Sequence, residues 1–350
     1  MSGASLKIVA AGPALTIQDR GRPGYLGFGV SAGGAMDRFA LAEGQALLGN
    51  DAESAAIEMT GTGGRFTADS GDLWIALTGA PFRAKVGEVV QRWRTAFLLR
   101  AGEVLEIGPA LGGNYGYLSV GGGIDVPPVL GSRATQPRAG IGGLEGRALK
   151  AGDVLPAGKP GNLPETPLLL PGAGYFGKKE IRVIEGPQSH LFPSAERSRF
   201  FATEFRISSA MDRMGVRLDT DADPIRTESG LKAISDSVVL GDLQVPGNGR
   251  PIALMADRQP TGGYPRIATI VSADIPAFCQ LPPGSRVRFT QVSEKDALDA
   301  LRRMASDIKG LRRSARPLIR DPHDIPDLLS YNLIDGVVAG SPALQPETEA

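Results

Sequence analysis

The chain has 350 residues, 42% of them hydrophobic, enough to build more than one core. Lys and Arg number 38 and so do Asp and Glu, which leaves no basic field to gather nucleic acid or an anionic membrane surface. A lone cysteine, Cys279, excludes an internal disulfide framework and a cysteine-cluster metal site within one chain.

The first stretch, "MSGASLKIVAAGPALT", is too short and too broken in its apolar part for a signal peptide, and no run of about 18 apolar residues follows it. A cytoplasmic location is expected. Glycine (47) and proline (27) are abundant without a collagen-like period, which points to many strands joined by tight turns. Over residues 1–155 the runs "LKIVA", "AAIEMT", "LWIALTG", "AFLLRAGEVLEIG" and "YGYLSV" predict strands of one half. Within it, "MDRFALAEGQALLGN" places Met36, Phe39, Ala40 and Leu47 at near-helical spacing and stops at Gly49–Asn50, predicting a helix against one end of a barrel or sandwich.

Residues 156–180 are rich in Pro and Gly and read as a linker. Strand patterning resumes over 181–292 with "IRVIEGP", "VRLDT", "PIALMAD", "IATIVSA" and "RVRFTQV", a second half. Residues 293–350 open with a charged amphipathic helix, "SEKDALDALRRMASDIKGLRR", expected to bury Leu298, Leu301 and Met304, and continue into a tail whose "PDLLSYNLIDGVV" is apolar enough to dock. The tetrapeptide "AMDR" occurs once in each half, predicting related halves with these residues at equivalent positions.

Several features are decoys. "GAGYFGKK" at 172–179 fits a phosphate loop only in part, because Lys179 stands where a magnesium-holding Ser or Thr is needed and a strand-like "EIRVIEG" follows instead of a helix. His190 and His323 lie beside prolines in loop-like surroundings, unsuited to a catalytic triad or a metal cluster. Cys279, in "IPAFCQLPPG", reads as a buried structural thiol.

Three segments concentrate polar residues among glycines: "TIQDRGRPGYLGFGVSAGGAMDRFA", "GGGIDVPPVLGSRATQPRAGIGGLEGRALKAGD" and "ADRQPTGGYP". Singly, each reads equally well as tight turns whose arginines cap carbonyls and pair with local acids. Together with "SSAMDRMGVRL", and in this order, they resemble the allophanate hydrolase subunit 2 family, also called the KipA family and including the C-type subunits of 5-oxoprolinase. Its members are similar to half of the carboxyltransferase domain of biotin-dependent urea carboxylase.

The resemblance covers Gly12 to about Phe289 and implies a mostly β fold with a few helices, arranged as two cyclophilin-like β-barrel subdomains. It also implies a KipI-like subunit 1 partner, a lactam amidohydrolase alongside, ATP used by the complex, and a small amide or urea substrate. No "AMKM"-like biotinyl-lysine motif stands in the sequence, so any biotin would arrive on another protein. Two other activities fit the same resemblance: a biotin-dependent urea or guanidine-type carboxyltransferase, and a KipA-type regulator that binds a KipI-like kinase inhibitor.

Moving a carboxyl group or opening an amide requires donors for a developing oxyanion and one proton carrier. "ADRQPTGGYP" supplies both between two apolar runs. Asp257, Gln259 and Tyr264 are expected to be catalytic, with Arg258, Thr261, Gly262 and Gly263 binding substrate and Asp37, Arg38 and Arg133 facing them.

Overall fold

The structure, a computed structural model, describes residues 3–172, 175–227, 230 and 232–319. Short β-branched and apolar runs broken by glycine turns favour strands. In the first half they form a six-stranded sheet in the order Val154–Pro156, Ser5–Ala11, Gly64–Ala68, Val104–Ala110, Phe82–Val86, Val89–Val90. A seven-stranded sheet follows the order Thr16–Gln18, Ala56–Thr60, Tyr115–Val120, Leu73–Gly79, Thr95–Leu99, Leu168–Leu169, Arg316–Pro317. Their inner faces share one core, Ile8, Phe66 and Leu105 from the first sheet meeting Ile57, Leu77 and Leu118 from the second. Each such side chain, fully buried, stabilises by about 1.5–3 kcal/mol relative to exposure.

The second half is a closed seven-stranded barrel. Its strands run Glu180–Glu185, Arg266–Ile270, Asp242–Gln244, Ile252–Leu254, Gly215–Asp219, Phe205–Met211 and Arg286–Gln291, and the parallel pairing of the first with the last closes the ring. The chain is thus mostly β, as the sequence indicates. Leu168–Leu169, inside the segment read as a linker, pairs with Thr95–Leu99, so part of that segment belongs to the first half's sheet.

Four α-helices complete the described residues: α1 (Arg38–Leu48), α2 (Ser194–Ala202), α3 (Ile275–Cys279) and α4 (Glu294–Ser314). Asp37 caps α1 by accepting the Ala40 N–H at 2.9 Å, and Gly49, in the left-handed region at φ 62°, ends it. Instead of closing an end, α1 lies on the sheet: its Ala40 carbonyl accepts the Thr78 hydroxyl at 2.7 Å, and Gly44 packs over Ser119 where a methyl would clash. Ser293 caps α4, whose acids Glu294 and Asp296 stand at its start and Arg312 and Arg313 at its end, matching the helix dipole.

The face of α4 differs from the sequence expectation. Leu298 and Leu301 are 52% and 39% exposed, while Ala300 and Leu311 are buried and Ile308 packs beside Leu47 and Leu48 of α1. Spacing alone permits both stripes, and the buried one is chosen by α1. The two "AMDR" copies also differ: the first starts a helix, whereas the second ends the strand Phe205–Met211, with Asp212 accepting the Met214 N–H at 2.7 Å in the following turn. His323 and the "PDLLSYNLIDGVV" segment lie outside the described residues. Among the described residues no helix is long and apolar enough to cross a membrane.

Candidate functional site

The "ADRQPTGGYP" loop leaves the barrel after Ile252–Leu254 and returns at Arg266–Ile270. Gln259, Thr261, Gly262, Gly263 and Tyr264 line one cleft of about 650 Å³, completed by Asp212, Arg217, Gln244 and, from the first half, Arg138. Gln259 donates to the Gln244 side chain at 3.3 Å, and Gln244 in turn donates to the Tyr264 carbonyl at 3.3 Å, so a buried amide fixes both ends of the loop. Gly262 lies so close to the Gln244 amide nitrogen that a Cβ there would force that amide to shift. Tyr264 is 45% exposed, and neither its hydroxyl nor the Arg138 and Arg217 guanidiniums have a polar partner among the described residues. The cleft therefore presents two uncommitted cations, a phenol and a carboxamide.

Asp257 does not line this cleft, contrary to the sequence expectation. It is buried, and Arg213 holds both its oxygens, from Nε at 2.8 Å and from Nη2 at 2.9 Å. Arg213 also reaches across the two halves, donating to Glu58 and to the Gly34 carbonyl at 2.8 Å. Glu58 is further held by the Tyr117 hydroxyl at 2.6 Å and the Met36 N–H at 2.9 Å. Burial alone would depress the Arg213 guanidinium, but Glu58 and Asp257 outweigh it and hold the cation above its usual range. This is a buried acid–cation–acid bridge that joins the halves, with Asp257 as one of its acids.

Asp37 is likewise engaged. Besides capping α1 it accepts the Tyr175 hydroxyl at 2.9 Å and the Gln280 amide at 2.8 Å. Burial pushes its carboxyl up to about 6, against these hydrogen bonds. Gln280 closes the seam by accepting the Asn114 and Tyr115 N–H groups at 2.9 and 3.0 Å. Arg133 is not part of the cleft either: it pairs with Asp125 at 2.9 Å and donates to the Val126 carbonyl at 2.8 Å.

Arg38 and Arg258 line a second cleft of about 510 Å³ that shares no lining residue with the first. Sequence reasoning thus found residues of two clefts and merged them. It missed Glu58 and Arg213; an acid in the otherwise apolar "AAIEMT" is the signal that could have found the first.

Tyr175–Gly177 form a turn before the strand Glu180–Glu185, and Lys178 is bonded to Asp274 at 2.8 Å, so the described part of "GAGYFGKK" leads into a strand with its first lysine already paired. Cys279 is buried, and burial raises its thiol well above the usual range.

Residues 28–291 match the family model described as "Carboxyltransferase domain, subdomain A and B". The chain is 41% identical over 298 residues to the C-type subunit of 5-oxoprolinase from Escherichia coli, covering 84% of this chain and 94% of that protein. It is 36% identical over 300 residues to the C-type subunit of 5-oxoprolinase from Haemophilus influenzae, covering 85% and 94%. Among solved structures it resembles the K. lactis urea amidolyase with a TM-score of 0.79 at 26% identity, covering 93% of this chain but only 21% of that one. With the family model matching most of its length, the closed barrel included, the chain belongs to the carboxyltransferase domain family built of subdomains A and B.

Proposed function

We propose that the chain is the C-type subunit of a 5-oxoprolinase complex that opens 5-oxo-L-proline to L-glutamate, with ATP consumed by the complex. The observation that carries this reading is the near full-length identity to the E. coli protein, 41% across 94% of its length. A KipI-like subunit 1 and a lactam amidohydrolase are the partners this reading needs, and nucleotide handling falls to them, in keeping with the poor fit of "GAGYFGKK" to phosphate.

The cleft chemistry suits a lactam. Ring opening breaks the amide C–N bond, places a hydroxyl on the carbonyl carbon and a proton on the nitrogen. Arg217 and the Gly263 N–H are donors for the carbonyl oxygen as it gains charge, while the Gly262 backbone is held in its ladder with Asp236. Tyr264 is the group placed to pass the proton, Gln259 orients the ring amide, and Arg138 offers a fork for the substrate carboxylate.

A second reading, the carboxyltransferase component of a urea or guanidine-type carboxylase, draws on the urea amidolyase likeness at TM-score 0.79. Biotin would then be delivered by a carrier partner. The test is reconstitution with subunit 1 and the lactam amidohydrolase, assaying glutamate from 5-oxoproline with ATP, alongside urea with ATP and a biotin carrier. Turnover of 5-oxoproline only in the full mixture is expected. Full activity from this polypeptide alone, or turnover of urea alone, would overturn the reading, and stable binding to subunit 1 without either activity would point to a KipA-type regulator.

A further inference from the structure

The second cleft holds two arginines that form no ion pair among the described residues. Arg258 is 7% exposed, spends Nε on the Val238 carbonyl at 3.2 Å and Nη1 on the Met255 carbonyl at 3.4 Å, and makes no ion pair among the described residues. Arg38, across the cleft, has no hydrogen-bond or ion-pair partner among the described residues. Burial depresses the Arg258 guanidinium, Asp242 and Asp257 partly relieve this, and repulsion from Arg38 depresses it further.

Gly33 forms part of the same wall. Behind it lies Arg22, 1% exposed, which has the carboxylates Asp19 and Asp257 as nearby opposite charges and whose Nη1 makes no hydrogen bond among the described residues. Arg258 is the cation left without an ion pair, and a buried guanidinium with unspent donors costs several kcal/mol unless a counter-charge reaches it. Two further features narrow what that counter-charge is. Much of the lining is apolar, supplied by Ile184, Val239, Leu240, Leu298 and Leu301, and the last two are the α4 leucines left half-exposed by its docking on α1. Among the described residues the only acid lining the cleft is Glu294, which disfavours a polyanion.

We propose that this cleft binds a small organic monocarboxylate with a short aliphatic body. The carboxylate sits between the Arg38 and Arg258 forks, in the planar geometry guanidinium groups favour, and the aliphatic body lies on Leu298 and Leu301. Bare phosphate would satisfy the arginines and leave the apolar wall wet; a neutral alcohol would do the reverse. The inference rests on this cleft alone and stands apart from the 5-oxoprolinase reading.

Isothermal titration of the full chain with hexanoate, hexanol, hexylamine and inorganic phosphate tests it. Hexanoate should bind saturably at millimolar concentrations or below, at least about tenfold tighter than the other three. Arg38→Gln, at an exposed position, should weaken hexanoate about tenfold or more, and Leu298→Asp should do the same, whereas Tyr264→Phe in the other cleft should leave it unchanged. Absence of saturable hexanoate binding to the wild-type chain, equal binding of hexanol or phosphate, or unaltered binding to Arg38→Gln would each overturn the proposal.

Discussion

Replacing Arg213 by methionine should separate the two halves energetically while keeping side-chain volume. The guanidinium serves two carboxylates at once, making two contacts to Asp257 at 2.8 and 2.9 Å and one to Glu58, whose side chains are 7% and 1% exposed. Removing one partner from a buried ion pair costs about 3–5 kcal/mol, because the charge left behind has lost its solvation. Glu58 retains the Tyr117 hydroxyl and the Met36 N–H, so Asp257 bears most of this loss. A drop of about 3–5 kcal/mol in urea-unfolding free energy is expected at pH 7.5, a large part of a typical domain's total of about 5–15 kcal/mol. Neutralising both acids together, as Arg213→Met with Glu58→Gln and Asp257→Asn, should recover at least about 2 kcal/mol of the loss. A deficit below about 1 kcal/mol, or no recovery in the triple variant, would refute the view that Arg213 balances two buried charges.

Glu43 is buried on α1 and paired with Arg94, and burial pushes its carboxyl up to about 7. A carboxyl raised in this way stabilises the fold below its unfolded value and loses that contribution as pH rises to about 7, so wild-type stability should fall over pH 4.5–7 by on the order of 1–3 kcal/mol more than that of Glu43→Gln; parallel unfolding curves would exclude this. In the reconstituted complex, Tyr264→Phe or Gln259→Ala should lower kcat/KM about tenfold, or about 1.4 kcal/mol of transition-state stabilisation, with little change in Tm; a loss that follows unfolding would mean the loop is only a turn. Gly262→Ala drives a methyl into the Gln244 amide and should cost about 1–3 kcal/mol by thermal unfolding, and unchanged Tm would contradict the tight approach described for that glycine. Cys279 should resist a thiol reagent until urea unfolds the chain, and rapid labelling of the native protein would show that its burial has been misjudged.

Much of the fold is legible because its signals are local. Strand runs such as "LWIALTG" are bounded by residues that favour turns, and the Asp37 cap with the Gly49 stop brackets α1 within a few residues. What depends on distant partners is not legible in this way. Ala300 and Leu311 carry the buried stripe of α4 only because α1 lies there, and a helical wheel shows Leu298 and Leu301 as equally good candidates. The same limit governs the site. Asp257 stands in the polar "ADRQPTGGYP" loop and reads as a cleft residue, yet its fate is decided by Arg213, 44 positions earlier in the chain. Neighbouring Arg258 and Gln259 look like one constellation and line different clefts.

The edge of the seven-stranded sheet bears on the order of folding. Its last two strands, Leu168–Leu169 and Arg316–Pro317, come from either side of the whole second half, and Arg312 ties the end of α4 to the Ala46 and Leu47 carbonyls at 3.0 and 2.7 Å. During synthesis the first half therefore cannot finish its sheet until the barrel has been made and its following helix has returned. Until then the Leu168–Leu169 ladder offers unpaired N–H and C=O groups to any passing strand. Closure over so long a stretch of sequence makes slow, late-completing folding the expectation for this chain, and exposes a nascent first half to edge-to-edge association that the finished protein avoids.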